Sequence, residues 1–321
     1  MGINFIHKFE DVVGLNNLLS AWQEFLRGKG NRQDIKIFSL NLMDNIFQLN
    51  QDLNNLTYQH GKYHAFNISD PKPRNIHKAT VRDRLLHHAV YRILYPYFDK
   101  KFISNSHSCR LRKGTHKAMN KFRQNFYKVS KNNTRTCWVL KCDIKKFFAS
   151  IDHDMLKNIL KQYIDNEKII WLLDKIIDSF HPGLPLGNLT SQLLVNVYMN
   201  KFDQFVKHKL KIKYYIRYAD DFVFLHKNKN YLENLIPKIK SFLQKELKLE
   251  IHQNKIFIKT YASGIDFLGW INFSDHRILR TSTKRRMLKR IKVNSKFGTI
   301  QSYLGLLKHG NTFKLQNKIL E

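Results

Sequence analysis

The sequence predicts an α+β fold, because segments with helical periodicity are interspersed with short apolar strands that end at turns. Apolar residues recur at helical spacing over 38–56, and 81–98 predicts a second helix. The segment 138–143 is a short apolar strand, and 214–225 contains two strands joined by an acidic turn. A chain of 321 residues is also long enough to bury a substantial core in one or two domains.

The predicted elements begin with helices and a hairpin and continue as mixed helices and strands. A strand at 63–68, an Asp-Pro-Lys-Pro turn at 70–73 and a returning strand at 74–77 predict a tight basic hairpin. Asp152 is placed to cap a helix through 155–163, since aspartate accepts hydrogen bonds from a first helical turn. The remaining predicted elements are a helix from Thr190, a helix at 231–247, strands at 249–258 and 265–273, and a basic helix at 285–296.

The charge of the chain indicates a polyanionic partner. There are 56 Lys and Arg against 25 Asp and Glu, which leaves a formal net charge of +31. Between 72 and 135 the basic residues are scattered among apolar ones, a pattern more typical of a groove lining than of a disordered tail. We therefore expect nucleic acid as the partner, with ribosome binding or a merely solvated surface as alternatives.

Cysteine usage and hydropathy predict an unanchored protein of the cytoplasm. Cys109, Cys137 and Cys142 form no CxxC pair and no even framework, which disfavours structural zinc and secreted disulfide scaffolds. No segment reaches the roughly 18 consecutive apolar residues of a membrane span, and no signal-peptide block opens the chain. No membrane partner is expected.

Three carboxylates are the candidate catalytic groups. Asp143 ends one strand, and Asp220 and Asp221 lie at the tip of the later hairpin. If they meet, they repel one another unless cations neutralise them, and hard oxygen ligands suit Mg²⁺. Two Mg²⁺ ions about 3.5–4 Å apart can activate an attacking hydroxyl and hold a leaving pyrophosphate. Taken singly, each aspartate is more typical of an ordinary turn or helix cap.

Four ordered motifs give the chain a resemblance to reverse transcriptases. They are Lys-Cys-Asp-Ile-Lys-Lys-Phe-Phe at 141–148, Gly-Leu-Pro-Leu-Gly-Asn-Leu-Thr-Ser-Gln at 183–192, Tyr-Ala-Asp-Asp at 218–221 and Phe-Leu-Gly-Trp at 267–270. The resemblance implies a right-hand polymerase with a ferredoxin-like palm, basic fingers and a short helical thumb. The implied division is an N-terminal helical extension at 1–61, fingers at 62–136, a palm with finger-like insertions at 137–275 and a thumb at 276–321.

The resemblance also implies roles for individual residues. Asp143, Asp220 and Asp221 would be catalytic and bind two Mg²⁺ ions, and Lys255, on the strand at 249–258, would protonate the departing pyrophosphate. Phe148 would exclude the 2′-hydroxyl of an incoming nucleotide. Contacts to the dNTP are further expected from Arg74, Arg82, Arg110, Leu186, Gly187 and Gln192. Contacts to nucleic acid are expected from Tyr218, Gly269, Trp270, Arg285 and Lys289.

Simpler interpretations compete at several of these positions. Lys248 and Lys259 lie near Lys255, and the register of a strand slips easily. Packing alone would account for Trp270, and any single arginine could be a solvated charge. Arg285 and Lys289 belong to a basic helical stripe without acidic residues, which favours duplex phosphate over general solubility.

Leu186 and Gln192 depart from the commonest reverse transcriptase motif, which has Gln and Pro there. The combination resembles reverse transcriptases of diversity-generating retroelements, which copy a template RNA with frequent errors opposite adenines and diversify a target gene by mutagenic retrohoming. This implies a prokaryotic or phage-encoded system with template RNA, a DNA or cDNA primer, dNTPs and an accessory variability protein. Replacing an amide by an aliphatic side chain would remove a geometric constraint near the nascent base pair. Neutral drift in loop packing is the other interpretation.

Two alternative functions are a compact group II intron-like reverse transcriptase and a non-catalytic RNA-binding scaffold. The short segment after Trp270 leaves room for a compact thumb rather than a long maturase extension. The intact Asp143, Asp220 and Asp221 argue against a scaffold, because carboxylates without a neutralising cation would repel RNA phosphate.

Overall fold

The computed structural model describes residues 4–69, 72–294 and 296–320. The helices are α1 (Phe9–Val13), α2 (Leu15–Leu26), α3 (Gln33–Leu40), α4 (Leu42–Asn54), α5 (Val81–Lys101), α6 (Thr115–Val129), α7 (His153–Lys161), α8 (Glu167–Asp178), α9 (Leu189–Gln204), α10 (Lys229–Leu247), α11 (Thr281–Val293), α12 (Phe297–Leu307) and α13 (Phe313–Leu320). The strands are β1 (His64–Ile68), β2 (Arg74–Lys78), β3 (Trp138–Asp143), β4 (Tyr215–Tyr218), β5 (Asp221–His226), β6 (Phe257–Thr260), β7 (Ile265–Phe267), β8 (Trp270–Asn272) and β9 (Arg277–Leu279). Helices and strands therefore mix along the chain, as predicted.

The chain divides into two compact units, each made of separate stretches of sequence. The first unit comprises Met1–Ile103, Lys145–Phe205 and Phe242–Leu249. The second unit comprises Ser104–Ile144, Val206–Ser241 and Glu250–Glu321. The four-part division at 61, 136 and 275 has other boundaries than these units and stays a prediction. None of the described helices combines the length and the hydropathy needed to cross a membrane.

The predicted single helix at 38–56 is wrong, because two helices, α3 and α4, meet at Asn41. Asn41 has φ −118° and ψ 45°, outside the helical region, so the helical hydrogen bonding is interrupted there. The apolar periodicity within α4 does mark a core face, since Ile46, Leu49 and Leu53 are fully buried. Helical spacing was therefore a good guide to burial and a poor guide to continuity.

The basic hairpin of the first unit is confirmed. Strands β1 and β2 pair antiparallel, from His64 opposite Lys78 to Ile68 opposite Arg74. Part of the predicted turn, 70–71, lies outside the described residues. The backbone N–H of His77 in β2 donates to the carbonyl of Leu186 at 3.0 Å, which joins the hairpin to a turn far along the chain.

Side-chain caps mark the start of α5 and α7 in the first unit. Thr80 precedes α5 and accepts a hydrogen bond from the Asp83 N–H at 3.2 Å. Asp152 caps α7 as predicted, accepting from the Met155 N–H at 2.9 Å. Helix α9 begins at Leu189, one residue before the predicted Thr190. These caps satisfy N–H groups that have no partner within their own helix.

The second unit is built on a four-stranded antiparallel sheet in the order β4-β5-β3-β6. The predicted strand at 138–143 is confirmed as β3, and the predicted hairpin at 214–225 as β4 and β5. Helix α6 packs against this sheet through Phe122 and Phe126, and the Phe126 ring stacks on Tyr261 with centroids 4.0 Å apart. A buried cluster therefore fixes β3 at the centre of the unit.

The predicted strands at 249–258 and 265–273 are wrong in extent. The first is replaced by a 3-10 turn at Gln253–Lys255 and the short strand β6. The second is divided into β7 and β8 by a turn in which Leu268 and Gly269 have φ values of 53° and 88°. Left-handed backbone cannot continue a strand, so the chain reverses and β7, β8 and β9 form a separate small sheet.

The basic helix predicted at 285–296 is α11, which begins and ends slightly earlier. Its Met287 is fully buried in a cluster with Trp270, Leu307 and Ile319 from β8, α12 and α13. The apolar face of α11 is therefore a packing surface, and its cationic residues lie on the other faces.

We expect one fast-reacting thiol in the native chain. Cys109 is exposed, whereas burial raises the pKa values of Cys137 and Cys142 to about 12. The thiolate is the reactive form, so at pH 8 on the order of one in 10⁴ of the buried thiols is ionised. Maleimide labelling followed by mass spectrometry should give one rapid adduct, and three after unfolding. Cys109→Ser is the control and should abolish the rapid adduct; rapid labelling at Cys137 or Cys142 would contradict the buried positions.

Candidate active site

The three predicted catalytic carboxylates lie at one end of the four-stranded sheet. The antiparallel register of β3 and β5 places Asp143 directly opposite Asp221. Asp220 lies in the turn between β4 and β5, and its carbonyl accepts a 3.2 Å hydrogen bond from the Ile144 N–H just past β3. Ala219 in this turn has a φ of 55°, a left-handed conformation that reverses the chain sharply. Acidic residues distant in sequence are thus brought together.

The Asp221 side chain is 18% exposed, and one of its two carboxylate oxygens is paired. Its Oδ2 lies 3.1 Å from Nζ of Lys141, while its Oδ1 is buried and has no hydrogen-bond partner among the described residues. Burial, together with the charges of Asp143 and Asp220, raises the pKa of Asp221 to about 6 despite the opposing Lys141 ammonium. A cation beside Oδ1 would favour the ionised carboxylate.

Two lysines neutralise the facing carboxylates. Nζ of Lys255 lies 2.8 Å from Oδ1 of Asp143, and Nζ of Lys141 also donates to the carbonyl of Asp266 at 2.8 Å. Lys255 lies on the 3-10 turn after α10, so its predicted place on a strand is wrong. The turn is held against β3 because the His252 N–H donates to the Asp143 carbonyl at 2.8 Å.

Lys248 and Lys259, the two alternatives to Lys255, lie in different surroundings. Lys248 pairs with Asp152 at 2.5 Å in the first unit. Lys259 lies on β6 opposite Val139, toward the start of β3 and away from its acidic end. Of these three lysines, the structure brings Lys255 to Asp143.

The donor chemistry at this end of the sheet fits Mg²⁺. Among the described residues, no three His, Cys, Asp or Glu side chains are placed so that they could hold one metal ion together. Mg²⁺ in substrate complexes is commonly held by one or two carboxylates, with water and phosphate oxygens completing the octahedron. Asp143 and Asp221 supply such carboxylates, and the unpaired buried Oδ1 of Asp221 is an oxygen that a cation would satisfy.

The first unit holds most of the predicted dNTP contacts around the turn at 183–188. Phe148 lies half-buried on the 3-10 turn Phe147–Ser150, and its carbonyl accepts a hydrogen bond from the Leu184 N–H at 2.8 Å. The carbonyl of Leu186 accepts from His77 on β2, the strand that begins with the exposed Arg74. Backbone hydrogen bonds therefore connect the 183–188 turn to Phe148 and to β2.

A cavity of about 370 Å³ lies beside this turn, and Gly187 and Gln192 line it together with Ile76 and His77 of β2. Gly187 has a φ of 126°, and a Cβ there would lie 3.0 Å from the His77 carbonyl oxygen. A glycine is thus required for the close approach of the turn to β2. The cationic residues lining the cavity are Lys29, Arg32, Lys78 and Arg84.

None of these four cations is among the residues predicted from the sequence. Lys78 and Arg84 both pair with Asp34, at 2.6 and 2.5 Å, and the other two are Lys29 and Arg32. They follow α2 within the predicted N-terminal extension, where no charge pattern distinguishes them from surface residues. Burial, with the nearby charges of Arg32 and Arg84, lowers the pKa of Lys29. Such crowding of like charge favours an anionic ligand in the cavity.

Arg82, a predicted dNTP contact, is engaged within the first unit. It pairs with Asp52 at 2.5 Å, donates to the Gln59 carbonyl at 3.3 Å and lies over the Tyr58 ring, 5.0 Å from its centroid. These contacts tie α5 to α4.

In the second unit, Arg110 and Tyr218 are predicted site residues, and the buried Arg217 next to Tyr218 was not predicted. Arg110 donates to the Ser106 carbonyl at 3.0 Å, and the hydroxyl of Tyr218 accepts from Thr115 at 3.2 Å. Arg217 is fully buried and donates to the Ser106 hydroxyl at 3.0 Å and to the Ala219 carbonyl at 3.2 Å. It therefore supports the turn that carries Asp220.

The two missed cations near the carboxylates share a sequence signal. Lys141 interrupts the apolar strand 138–143, and Arg217 interrupts the apolar run before Tyr218. A charged residue within a buried strand requires a buried partner, and that requirement could have marked both.

The remaining predicted nucleic-acid contacts divide into buried and exposed residues. Trp270 is 1% exposed, and its ring packs against Met287 and Leu307, so packing accounts for it. Gly269 supplies the left-handed turn before it. Arg285 and Lys289 are exposed one turn apart on α11.

Comparison with known proteins identifies the family. Residues 68–272 match the family described as reverse transcriptase (RNA-dependent DNA polymerase). The chain belongs to this family. It is 24% identical to Protein YkfC of Escherichia coli over 258 residues, covering 67% of this chain and 66% of that protein. It is 24% identical to the group II intron-encoded protein LtrA of Lactococcus lactis over 320 residues, covering 77% of this chain and 51% of LtrA. The chain thus spans less than two thirds of the length of these relatives.

Solved structures confirm the right-hand polymerase fold. A C-terminally truncated apo telomerase from Candida tropicalis superposes with a TM-score of 0.52 at 13% identity, covering 71% of this chain and 58% of that one. A telomerase from Candida albicans in complex with a fragment of telomeric RNA gives a TM-score of 0.53 at 10% identity, covering 71% and 48%.

Asp221→Asn should stabilise the chain above pH 6 when divalent cations are absent. The pKa of Asp221 is raised from 3.8 to about 6, so keeping the carboxylate ionised costs the folded state free energy above that pH. Below about pH 3 the carboxyl is neutral in both states, and the gain should vanish. We expect on the order of 1–2 kcal/mol at pH 7.5 from urea unfolding in EDTA.

The control for this prediction is Asp165→Asn at an exposed position, which should leave the unfolding free energy unchanged. An Asp221→Asn variant that is no more stable than the parent at pH 7.5 would contradict the buried, under-satisfied carboxylate.

Proposed function

We propose that this chain is an RNA-directed DNA polymerase that extends a DNA or cDNA primer along an RNA template with dNTPs. One observation carries the proposal: the β3–β5 register sets Asp143 opposite Asp221 within the family-matched segment, with Asp220 on the adjoining turn. Carboxylates that face each other at the end of a sheet, each beside a lysine, form a site that accepts cations and phosphate oxygens.

In this proposal Asp143, Asp220 and Asp221 hold two Mg²⁺ ions. When bound, the ions would lower the pKa of the primer 3′-hydroxyl and neutralise charge on the pyrophosphate. Lys255, 2.8 Å from Asp143, is in place to donate a proton to the departing pyrophosphate. Lys141 keeps Asp221 oriented through its 3.1 Å contact and balances its charge. Positioning and electrostatics then account for most of the rate enhancement.

The residues around the 183–188 turn would select the nucleotide. The Phe148 ring would exclude a 2′-hydroxyl by its bulk, so that dNTPs are preferred over ribonucleotides. Arg74 and Arg110 would bind phosphate oxygens in the bidentate manner that guanidinium groups permit. Gly187 and Gln192 line the cavity that adjoins the turn, and its cationic walls suit a nucleotide or template phosphate.

Nucleic-acid binding would depend chiefly on charge. The net charge of +31 and the exposed Arg285 and Lys289 on α11 suit a duplex of template RNA and primer. Each cation that neutralises a phosphate releases counterions, so binding should weaken as salt rises.

At a finer level, we propose that the enzyme belongs to a diversity-generating retroelement and makes frequent errors opposite template adenines. Leu186 and Gln192 support this, because Leu186 replaces an amide in a tightly held turn and Gln192 replaces a proline near the start of α9. An aliphatic residue at 186 cannot donate or accept a hydrogen bond near the nascent base pair. Mutagenic retrohoming, with an accessory variability protein as partner, would be the biological context.

A compact group II intron-like reverse transcriptase is the second candidate. It is favoured by the similarity to LtrA of Lactococcus lactis and to a putative COX1/OXI3 intron 2 protein of Saccharomyces cerevisiae, which is 23% identical over 244 residues and covers 55% of this chain and 28% of that protein. The error spectrum distinguishes the candidates, because only the first requires a bias toward adenine.

Asp143→Asn should abolish primer extension and leave RNA binding intact or stronger. The substitution removes one carboxylate charge beside Lys255 and keeps the shape of the side chain. Extension of a DNA primer on an RNA homopolymer with Mg²⁺ should fall on the order of 10³-fold or more. Filter binding of the same RNA measures the second part.

Asp165→Asn, at an exposed position of the first unit, is the matched control and should extend the primer normally. If the parent chain extends no primer, the scaffold interpretation replaces the polymerase. If Asp143→Asn keeps full activity, the assigned carboxylate site is wrong.

Leu186→Gln should lower misincorporation opposite template adenine about fivefold, the effect of one restored hydrogen bond. Errors opposite the other three bases should change less. Sequencing of cDNA copied from a template of mixed composition measures both rates. Leu40→Gln on α3, where the leucine is 83% exposed, is the control and should leave the error spectrum unchanged. An adenine error rate equal to that of the parent would refute the retroelement assignment.

A further inference from the structure

Asn188 stands at the N-terminal cap of α9, yet its side chain does not cap the helix. An asparagine at this position normally accepts a hydrogen bond from an N–H of the first turn. Within the described residues the Asn188 side chain makes no such bond. Its Nδ2 instead donates to the hydroxyl oxygen of Tyr63 at 2.9 Å. The sequence separation is 125 residues, so tertiary structure has redirected a locally favoured interaction.

The direction of the hydrogen bonds at Tyr63 is determined by its neighbours. The Ser179 hydroxyl donates to the Ile176 carbonyl at 2.6 Å, so its oxygen is left as an acceptor. The Tyr63 O–H, 2.9 Å away, therefore donates to Ser179 and accepts from Asn188, and Nε2 of His60 lies 3.3 Å from the same oxygen. The phenolic oxygen thereby uses its single hydrogen and accepts a bond from the end of the 183–188 turn.

The Tyr63 ring is fixed as firmly as its hydroxyl. It stacks on His60 with centroids 4.9 Å apart and meets Phe180 edge-on at 5.4 Å. His60 in turn lies between the Gly61 carbonyl, 2.7 Å from its Nδ1, and Nε2 of His87 at 3.2 Å. Burial lowers the pKa of His87 well below its ordinary range, so this ring is neutral and can share a single N–H with His60.

A buried carboxylate completes this support. Asp83 accepts hydrogen bonds from the Tyr58 hydroxyl at 2.7 Å, the Gly61 N–H at 3.0 Å and the Thr80 hydroxyl at 2.6 Å. The Gly61 contact fixes the backbone that positions His60. Apart from Nδ1 of His87, which is buried without a partner among the described residues, this network is paired, and a displacement would break several bonds at once.

Tyr63 thus gives the 183–188 turn a further attachment. The others are the backbone bonds of Leu184 to Phe148 and of Leu186 to His77, and the contact of His153 Nε2 with the Gly183 carbonyl at 2.7 Å. The attachment at Asn188 joins two side chains, and Asn188 lines the same cavity as Gly187 and His77. Movement at Asn188 would displace the adjoining Gly187 and change the wall that faces a nucleotide.

We infer that Tyr63 is a positioning residue that sets nucleotide affinity by holding the 183–188 turn through Asn188. The inference rests on the proposed polymerase function. Tyr63 is inferred to act through the position of the turn and not on the reacting atoms. The residues next to Tyr63 in the sequence do not distinguish it from an ordinary core tyrosine. Its inferred role follows from its hydrogen bonds in the folded chain.

Tyr63→Phe and Asn188→Ser test the inference in the full chain. The first removes a hydroxyl and keeps the ring, and the second keeps a good helix cap that is too short to reach Tyr63. Each should raise the KM for dNTP about fivefold in primer extension while kcat changes less than twofold. The double variant should be no worse than either single one, because both remove the same bond.

Hydrogen exchange of the amides of Leu184 and of 186–188, measured without substrate, is the second readout and should accelerate in both variants. Tyr95→Phe is the matched control: its hydroxyl donates to Asp99 on the same helix at 2.9 Å, and neither readout should change. Unchanged exchange in Tyr63→Phe would overturn the attachment. Faster exchange with an unchanged KM would overturn the nucleotide role. A parent chain that extends no primer would overturn the proposed function and the nucleotide role together, and exchange would still decide the attachment.

Discussion

The antiparallel register between β3 and β5 is the constraint on which the candidate active site depends. Side chains alternate between the faces of a strand, so a slip of one residue would move Asp143 away from Asp221 and turn buried residues outward. The register is fixed because Val139 and Leu140 of β3, and Phe222 and Phe224 of β5, are fully buried. The hydrophobic core therefore places the charged residues, and the charges contribute little to choosing the fold.

This placement makes the ionised form of the Asp221 carboxylate unfavourable in the folded state. Asp221 is half-buried with one buried, unpaired oxygen, and Lys141 compensates only part of the cost. Lys141 and Arg217 are cations within the sheet, and each has one partner at or beside the acidic turn. A structure selected for stability alone would replace these groups by apolar residues of similar size. Their presence supports the proposal that this end of the sheet binds ligands.

In the first unit, an irregular turn at 183–188 has to be held in one position. The 183–188 segment cannot use regular secondary structure, so it is attached by separate hydrogen bonds to Phe148, His77 and Tyr63. Gly187 permits the close approach to β2 that one of these bonds requires. Loops fixed in this way combine precise placement with a shape that helices and strands cannot supply.

The sequence by itself determined the features that depend on neighbouring residues: β3 at 138–143, the hairpin that carries Asp220 and Asp221, the Asp152 cap, and the motifs that indicated the family. It predicted one helix where Asn41 separates two, and long strands where Leu268 and Gly269 reverse the chain, because apolar periodicity does not report local backbone angles. Only the tertiary structure decided that Lys141 faces Asp221, that Lys255 rather than Lys248 or Lys259 reaches Asp143, and that Asn188 binds Tyr63 instead of capping its helix. Such pairings join residues far apart in the chain, and their energies depend on burial and distance, which exist only once the chain has folded.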